Sequence, residues 1–148
     1  MSVTFQRETL DNWLADARFM IAGHVEEAGE NLGPPNVNHD QYIEFERNKC
    51  LYIFSGRNEK KELVAYWLGI MGPNLVYKHI RTVYALHYFV RKDYRGITVV
   101  RMIKYVENYF KELGVKHIVQ NARTKNNMGK ILEKLGYRKT EESYSKVF

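Results

Sequence analysis

Apolar and polar positions change their period several times along this chain, and each change marks an element. Val3-Thr4-Phe5 reads as a short opening strand. Thr9 is placed to cap a helix in which Leu10, Trp13, Leu14 and Ala17 recur at helical spacing, to about Ala22. From Gly23 to Asn38 the pattern dissolves into a loop-like stretch holding Gly29, Gly33, Pro34 and Pro35. A short helix over Asp40–Asn48 follows, with Tyr42, Ile43 and Phe45 on its apolar side. The period then shortens. Leu51–Ser55 and Leu63–Met71 read as strands around a turn at Gly56-Arg57-Asn58-Glu59, and after the break at Gly72-Pro73-Asn74 a long strand spans Arg81–Val90.

The clearest helix runs over Thr98–Leu113, where Val99, Met102, Ile103, Val106, Phe110 and Leu113 share one face and Gly114 stops it. Lys116–Asn121 is a short strand, Asn127–Leu135 a helix closed by Gly136, and Glu142–Phe148 a last strand. The predicted order is β-α-α-β-β-β-α-β-α-β in one domain over 1–148, an α/β mixture with a meander in its middle. No repeat or linker interrupts it.

The junction between the long strand and the main helix holds the candidate chemistry. The run Thr82–Val90 stops at Arg91-Lys92-Asp93, a Tyr94-Arg95-Gly96 turn follows, and the helix begins at once. A strand that delivers a glycine turn onto a helix N-terminus suits a phosphate. The first backbone N–H groups of a helix lack internal partners, and the helix dipole puts positive potential there.

Composition narrows the classes. A net charge of +6 admits an anionic partner such as a nucleotide cofactor, nucleic acid or an acidic protein surface. The basic residues form no single block, and no nucleic-acid signature is visible. No apolar run is long enough to span a membrane. The start, Met1–Gln6, lacks a charged-then-apolar leader, and the one cysteine, Cys50, cannot form an intrachain disulfide, so a cytoplasmic protein is expected. Cys50 borders the apolar Leu51–Phe54 run and reads as a buried structural thiol. His24, His39, His79 and His117 show no metal-ligand spacing.

Three pieces resemble the GNAT superfamily of acyl-CoA-dependent N-acetyltransferases, and the element order agrees across the chain. They are Val90-x-x-x-Tyr94-Arg95-Gly96; Tyr105-Val106-Glu107 through Lys111-Glu112-Leu113-Gly114-Val115; and Leu132-Glu133-Lys134-Leu135-Gly136-Tyr137 with Tyr144-x-Lys146. The resemblance implies an α/β fold with a mixed, mostly antiparallel sheet of about six to seven strands flanked by four helices. It implies transfer of an acetyl group from acetyl-CoA to a primary amine by direct attack, with no metal, in a monomer or homodimer. Two departures stand out. In the loop that holds the diphosphate, Thr98 replaces the family's first glycine and Val100 its Gly or Ala. In the following helix Leu132 stands where the family often has a tyrosine acid.

On this resemblance the loop Arg95, Gly96, Ile97, Thr98, Val99 and Val100 binds the diphosphate, with Arg95 or Arg101 as its charged neighbour. The strand Leu86–Val90 pairs with the pantetheine arm, and an N–H near Phe89 or Val90 meets the thioester carbonyl. Asn121, with Asn126 or Asn127, approaches the same arm. Alternation sets His87 and Tyr88 on opposite strand faces, so only one points to an acceptor cleft. His87 has the proton affinity of a base, and Glu26, Glu27 and Glu30 are alternatives. Tyr144 or Tyr137 is the remaining candidate acid. Two other readings stay open: a GNAT-like fold that binds without catalysis, suggested by Val100 and Leu132, and a nucleic-acid contact through Arg91, Lys92, Arg95 and Arg101.

Overall fold

The computed structural model describes residues 2–30 and 32–148. Asn31, inside the stretch expected to be a loop, and Met1 lie outside the described residues. The elements are β1 (Thr4–Arg7), α1 (Leu10–Ala17), α2 (Ile21–Ala28), α3 (His39–Arg47), β2 (Leu51–Arg57), β3 (Leu63–Pro73), β4 (Arg81–Val90), α4 (Ile97–Glu112), β5 (His117–Val119) and α5 (Met128–Lys134). A single 3-10 turn at Lys92–Tyr94 links β4 to α4. The strands form one five-stranded sheet in the order β1-β2-β3-β4-β5. All pairings are antiparallel except β4 with β5. No described helix is long and apolar enough to cross a membrane.

Both faces of the sheet are covered, which is why β2 and β3 are buried almost without alternation. Phe54, Trp67, Val83, Ala85 and Val90 turn to α4 and α5, where Met102, Ile103, Val106, Phe110 and Leu132 complete a cluster. Ile53, Tyr66 and Leu68 face the other way, onto Leu10, Trp13 and Ala17 of α1, with Tyr42 and Phe45 of α3 at the margin.

Three expectations need correction. The helix predicted to reach Ala22 ends at Ala17, and the predicted loop begins with a helix of its own, α2. The Phe19 and Met20 N–H groups bond back to Asp16 and Ala17 and turn the chain between them. Gly29, read as a loop residue, is the left-handed cap of α2 at φ 66°. Second, Glu142–Phe148 forms no strand. No neighbouring strand offers it a ladder, and Glu142 is tied locally to Lys139 and Tyr144 instead. Among the described residues the sheet accordingly has five strands rather than six or seven, and α2 raises the helices to five. Third, Cys50 is half-buried rather than enclosed, its thiol directed at the Phe45 carbonyl 3.3 Å away.

Candidate active site

The β4 strand carries the centre of the site because its pairing fails on one side and its phase slips on the other. Parallel pairing with β5 covers only Thr82, Val83 and Tyr84, so the outer half of β4 runs free of β5. Against β3 the register jumps: His87 lies opposite Leu68 but Ala85 opposite Gly69, leaving Leu86 as the extra residue of a bulge. Gly69 is required there, since an added Cβ would lie 2.2 Å from the Trp67 ring and 2.9 Å from the Tyr84 carbonyl. The bulge resets the alternation. Val83 and Ala85 face α4 before it, and Tyr88 and Val90 after it, whereas Leu86 and Phe89 pack on the α1–α3 side.

The register also sorts the backbone. Arg91 donates its N–H to the Val64 carbonyl directly opposite, which makes Phe89 and His87 members of β3-facing pairs. Tyr88 and Val90 therefore turn their N–H and C=O groups to the splayed side, whereas the Phe89 N–H faces β3. Asn121 spans the gap: its Nδ2 donates to the Ala85 carbonyl (2.7 Å), and its own carbonyl accepts the Tyr88 hydroxyl. Beside it, Trp67 Nε1 donates to Gln120 Oε1 (3.0 Å), and the Tyr137 hydroxyl donates to Glu107 (3.1 Å). Burial holds the Tyr137 pKa up at about 12. Asn127 is exposed and caps α5 without a side-chain bond; Asn126 Oδ1 accepts the Met128 N–H.

Beyond β4 the chain turns into α4. Gly96, at φ 98° and ψ −122°, is the N-cap residue, and a Cβ added there would meet nothing within 4 Å. Among the described residues the Ile97 and Thr98 N–H groups have no hydrogen-bond partner, so the helix N-terminus is free. Thr98 is not the cap; it is buried to 4% exposure. Val99 packs on the α4 cluster, Val100 is half-buried outside it, and Ile97 is exposed. The two expected cations are both engaged. Arg95 donates through Nε to the Val90 carbonyl (2.8 Å) and through Nη2 to Glu27 of α2 (2.7 Å). Arg101 turns to the Val3 carbonyl (3.1 Å), near β1. A recess of about 590 Å³ lies between α2 and this turn, lined by Gly23, Glu26, Glu27, Phe89, Arg91, Lys92 and Asp93.

His87 opens onto the α1–α3 side, away from Tyr88. Its Nε2 lies 2.6 Å from the Tyr42 hydroxyl of α3. A second couple stands next to it: His24 Nδ1 of α2 is 2.6 Å from the Tyr66 hydroxyl of β3. The two imidazoles meet edge to face at 6.0 Å, and His24 stacks on Phe89 at 5.0 Å. Burial first, then His87 and Arg123, push the His24 pKa down to about 4. Burial, then Arg123, lowers that of His87. Burial raises both Tyr42 and Tyr66. Glu30, just past the Gly29 cap of α2, pairs with Arg123 at 2.6 Å, and Glu27 within α2 pairs with Arg95, so α2 and its C-terminal end are pinned to the segments on both sides of the gap.

Two candidate residues end up elsewhere. Tyr144 is 89% exposed on the C-terminal tail, bonded to Glu142. Leu132, expected at the tyrosine position facing the cleft, is buried in the cluster of Ile103 and Val106, because the face of α5 that carries it packs on α4. Glu26 lines the recess, and Glu27 and Glu30 are committed to arginines. Sequence reasoning missed Tyr42, Tyr66 and His24 as a group. The one signal was the apolar stripe of α3, which marks Tyr42 as inward but not as meeting a histidine.

No protein-family model matches the chain, and no curated protein matches its sequence. Solved structures match its fold over the full length. The ribosomal-protein-alanine N-acetyltransferase of Brucella melitensis biovar Abortus 2308 is 18% identical with a TM-score of 0.76, over 100% of this chain and 99% of that one. Glucosamine-6-phosphate N-acetyltransferase of Arabidopsis thaliana is 14% identical at 0.69, over 100% and 99%. AAC(6')-Iy, in complex with the bisubstrate analog CoA-S-monomethyl-acetylneamine, is 14% identical at 0.71, over 100% and 99%. The alternation, the splayed β4–β5 pair and these superpositions agree: the chain has the fold of the GNAT acetyltransferases.

Proposed function

We propose that this protein transfers an acetyl group from acetyl-CoA to a primary amine. The observation that carries the reading is the outer half of β4. One edge there is unpaired, with the Tyr88 and Val90 backbone groups turned to the gap. That gap lies beside a helix N-terminus with free N–H groups, and His87 occupies the strand's α1–α3 face. The residues fit the cosubstrate. Gly96 leaves the backbone open to a diphosphate, and the Ile97 and Thr98 N–H groups would hold it. The Tyr88 and Val90 backbone groups and Asn121 would hold the pantetheine arm. When bound, acetyl-CoA supplies the thioester that the amine attacks.

The chain's own residues then have distinct tasks. The Val90 N–H is a preorganised donor on the splayed side, suited to a carbonyl gaining negative charge. His87, kept neutral by burial and Arg123, is the base that accepts the amine proton. Arg95 contributes positive potential beside the α4 N-terminus although Glu27 holds it. Leu132 is a core residue, so it no longer argues for a fold that has lost catalysis. Calorimetric titration with acetyl-CoA is the test. Saturable binding is expected, weakened about tenfold, or ~1.4 kcal/mol, by Arg95→Ala. No binding at millimolar acetyl-CoA would overturn the reading.

A further inference from the structure

We propose that Tyr42 is a catalytic residue: its hydroxyl takes the proton from the acceptor amine while passing its own to His87. This rests on the acetyltransferase reading and identifies the atom that meets the amine. The Tyr42–His87 bond, 2.6 Å long, shares a single proton. Among the described residues the Tyr42 hydroxyl has no other hydrogen-bond partner. If His87 donated from Nε2, the Tyr42 O–H would have no acceptor inside the protein. The satisfied arrangement has Tyr42 donating to Nε2, which puts the neutral ring's proton on Nδ1. Neither nitrogen of His87 then offers a free lone pair. The Tyr42 oxygen does, because a phenol that donates once can still accept.

The proton path follows. An alkylammonium N–H donates to Tyr42 Oη, the Tyr42 O–H proton moves to His87 Nε2, and the amine is left neutral with its lone pair available. That lone pair forms the new C–N bond as the C–S bond breaks and the thiolate leaves. The proton still on the attacking nitrogen goes to that thiolate through solvent, and the imidazolium returns its proton to water. The ring balance is one proton in and one out per turnover. Burial raises the Tyr42 pKa, so phenolate is not a resting state, and concerted passage avoids forming it. The neighbouring couple cannot substitute. Tyr66 is 1% exposed, out of reach of an amine, whereas Tyr42 is half-buried. The charged and titratable groups facing His87 are Tyr42, His24 across 6.0 Å, and the Arg123–Glu30 pair. The uncharged His24 adds no second cation to Arg123 when His87 takes up its proton.

Two measurements on the full chain decide the matter. Nitrogen-15 NMR of histidine-labelled wild-type protein at neutral pH should show His87 with a proton on Nδ1 and a bare Nε2. A proton on Nε2 overturns the relay whether or not any amine is acetylated. The second is thiol release from acetyl-CoA with three probe amines: glucosamine 6-phosphate, neamine and a peptide beginning with alanine. Tyr42→Phe should lower kcat about 10²-fold, the usual worth of a positioned proton acceptor, with the acetyl-CoA KM unchanged. His87→Gln should do the same, and the double variant should lose no more than either single one. Tyr42→Phe turning over at more than half the wild-type rate sinks the relay. Absence of acetyl-CoA binding sinks the acetyltransferase reading instead, with the tautomer still measured.

Discussion

The two faces of the sheet solve different problems. On the α4–α5 face the interior is largely carbon: Phe54, Val83, Met102, Ile103, Val106 and Phe110 sit at 1% exposure or less, and the polar edge of Trp67 is satisfied by Gln120. The α1–α3 face holds two tyrosine–histidine couples, and two buried polar atoms there, Trp13 Nε1 and Ser55 Oγ, have no partner among the described residues. Burying polar groups costs stability unless they are matched. On the α4–α5 side buried polar groups such as Trp67 Nε1 and the Tyr137 hydroxyl are matched, whereas the unmatched ones among the described residues lie on the α1–α3 side, where we place the proposed chemistry. On the proposed function, stability belongs to the α4–α5 side and reactivity to the α1–α3 side.

The largest expected effect tests that division directly. Phe110 is fully buried and meets Tyr52, Phe54 and Trp67 at ring distances of 5.1, 5.7 and 5.8 Å. Phe110→Ala should cost ~3–5 kcal/mol in urea unfolding. Tyr42→Phe removes one hydroxyl from the other face and should cost only ~1 kcal/mol. Comparable losses in the two variants would mean that the reactive face is as structural as the packed one.

Acid should expose the reactive face next. The His24 pKa is about 4 in the folded protein against an ordinary 6.5, so the unfolded chain binds the extra proton between those values. Its contribution to stability is therefore complete above pH 6.5 and is lost as pH falls toward 4. His87 is lowered too and adds to the same trend. Arg123 lowers His24 further, while Glu27 and Glu30 oppose it. Urea midpoints should fall across this window, and His24→Phe, which keeps a ring to stack on Phe89, should flatten the slope by about one proton. An unchanged slope would show that His24 is not the group held neutral.

This asymmetry was only half legible in the sequence. The packed side was readable because a 3.6-residue period writes α4 into Val99, Met102, Ile103, Val106 and Phe110, and strand runs are apolar where both faces are covered. Tyr94-Arg95-Gly96 placed the free helix N-terminus through turn chemistry that is local. The reactive side depends on contacts across the chain. Leu86 looks like any strand residue until its pairing with β3 skips it, and nothing local announces that skip. Gly23 and Gly29 read as loop signals, although one sits inside α2 and the other caps it, so Glu27 lost its helical setting. The residues of the His87–Tyr42 couple are 45 apart and those of the His24–Tyr66 couple 42 apart. Tyr144 and the last strand failed for the converse reason. Alternation alone suggested a strand, but a strand needs a neighbour, and the tail has none.

The smallest effect is also the one whose sign separates the two faces. Ser55 is 0% exposed, in phase with Ile53 and opposite Tyr66, and its hydroxyl is unpartnered among the described residues. Removing an unmatched buried hydroxyl relieves a desolvation cost and leaves a void of about one oxygen atom. Ser55→Ala should therefore be neutral or stabilising, by up to ~1 kcal/mol in urea unfolding. The same small truncation on the packed face, Val106→Ala, removes only carbon and should destabilise. If Ser55→Ala lowers stability by more than ~1 kcal/mol, the hydroxyl is bonded in solution, and a buried water is the natural partner. The α1–α3 face would then be hydrated rather than unmatched. The contrast with the packed face would stand, but its cause would be a water network reaching toward the Tyr66–His24 couple.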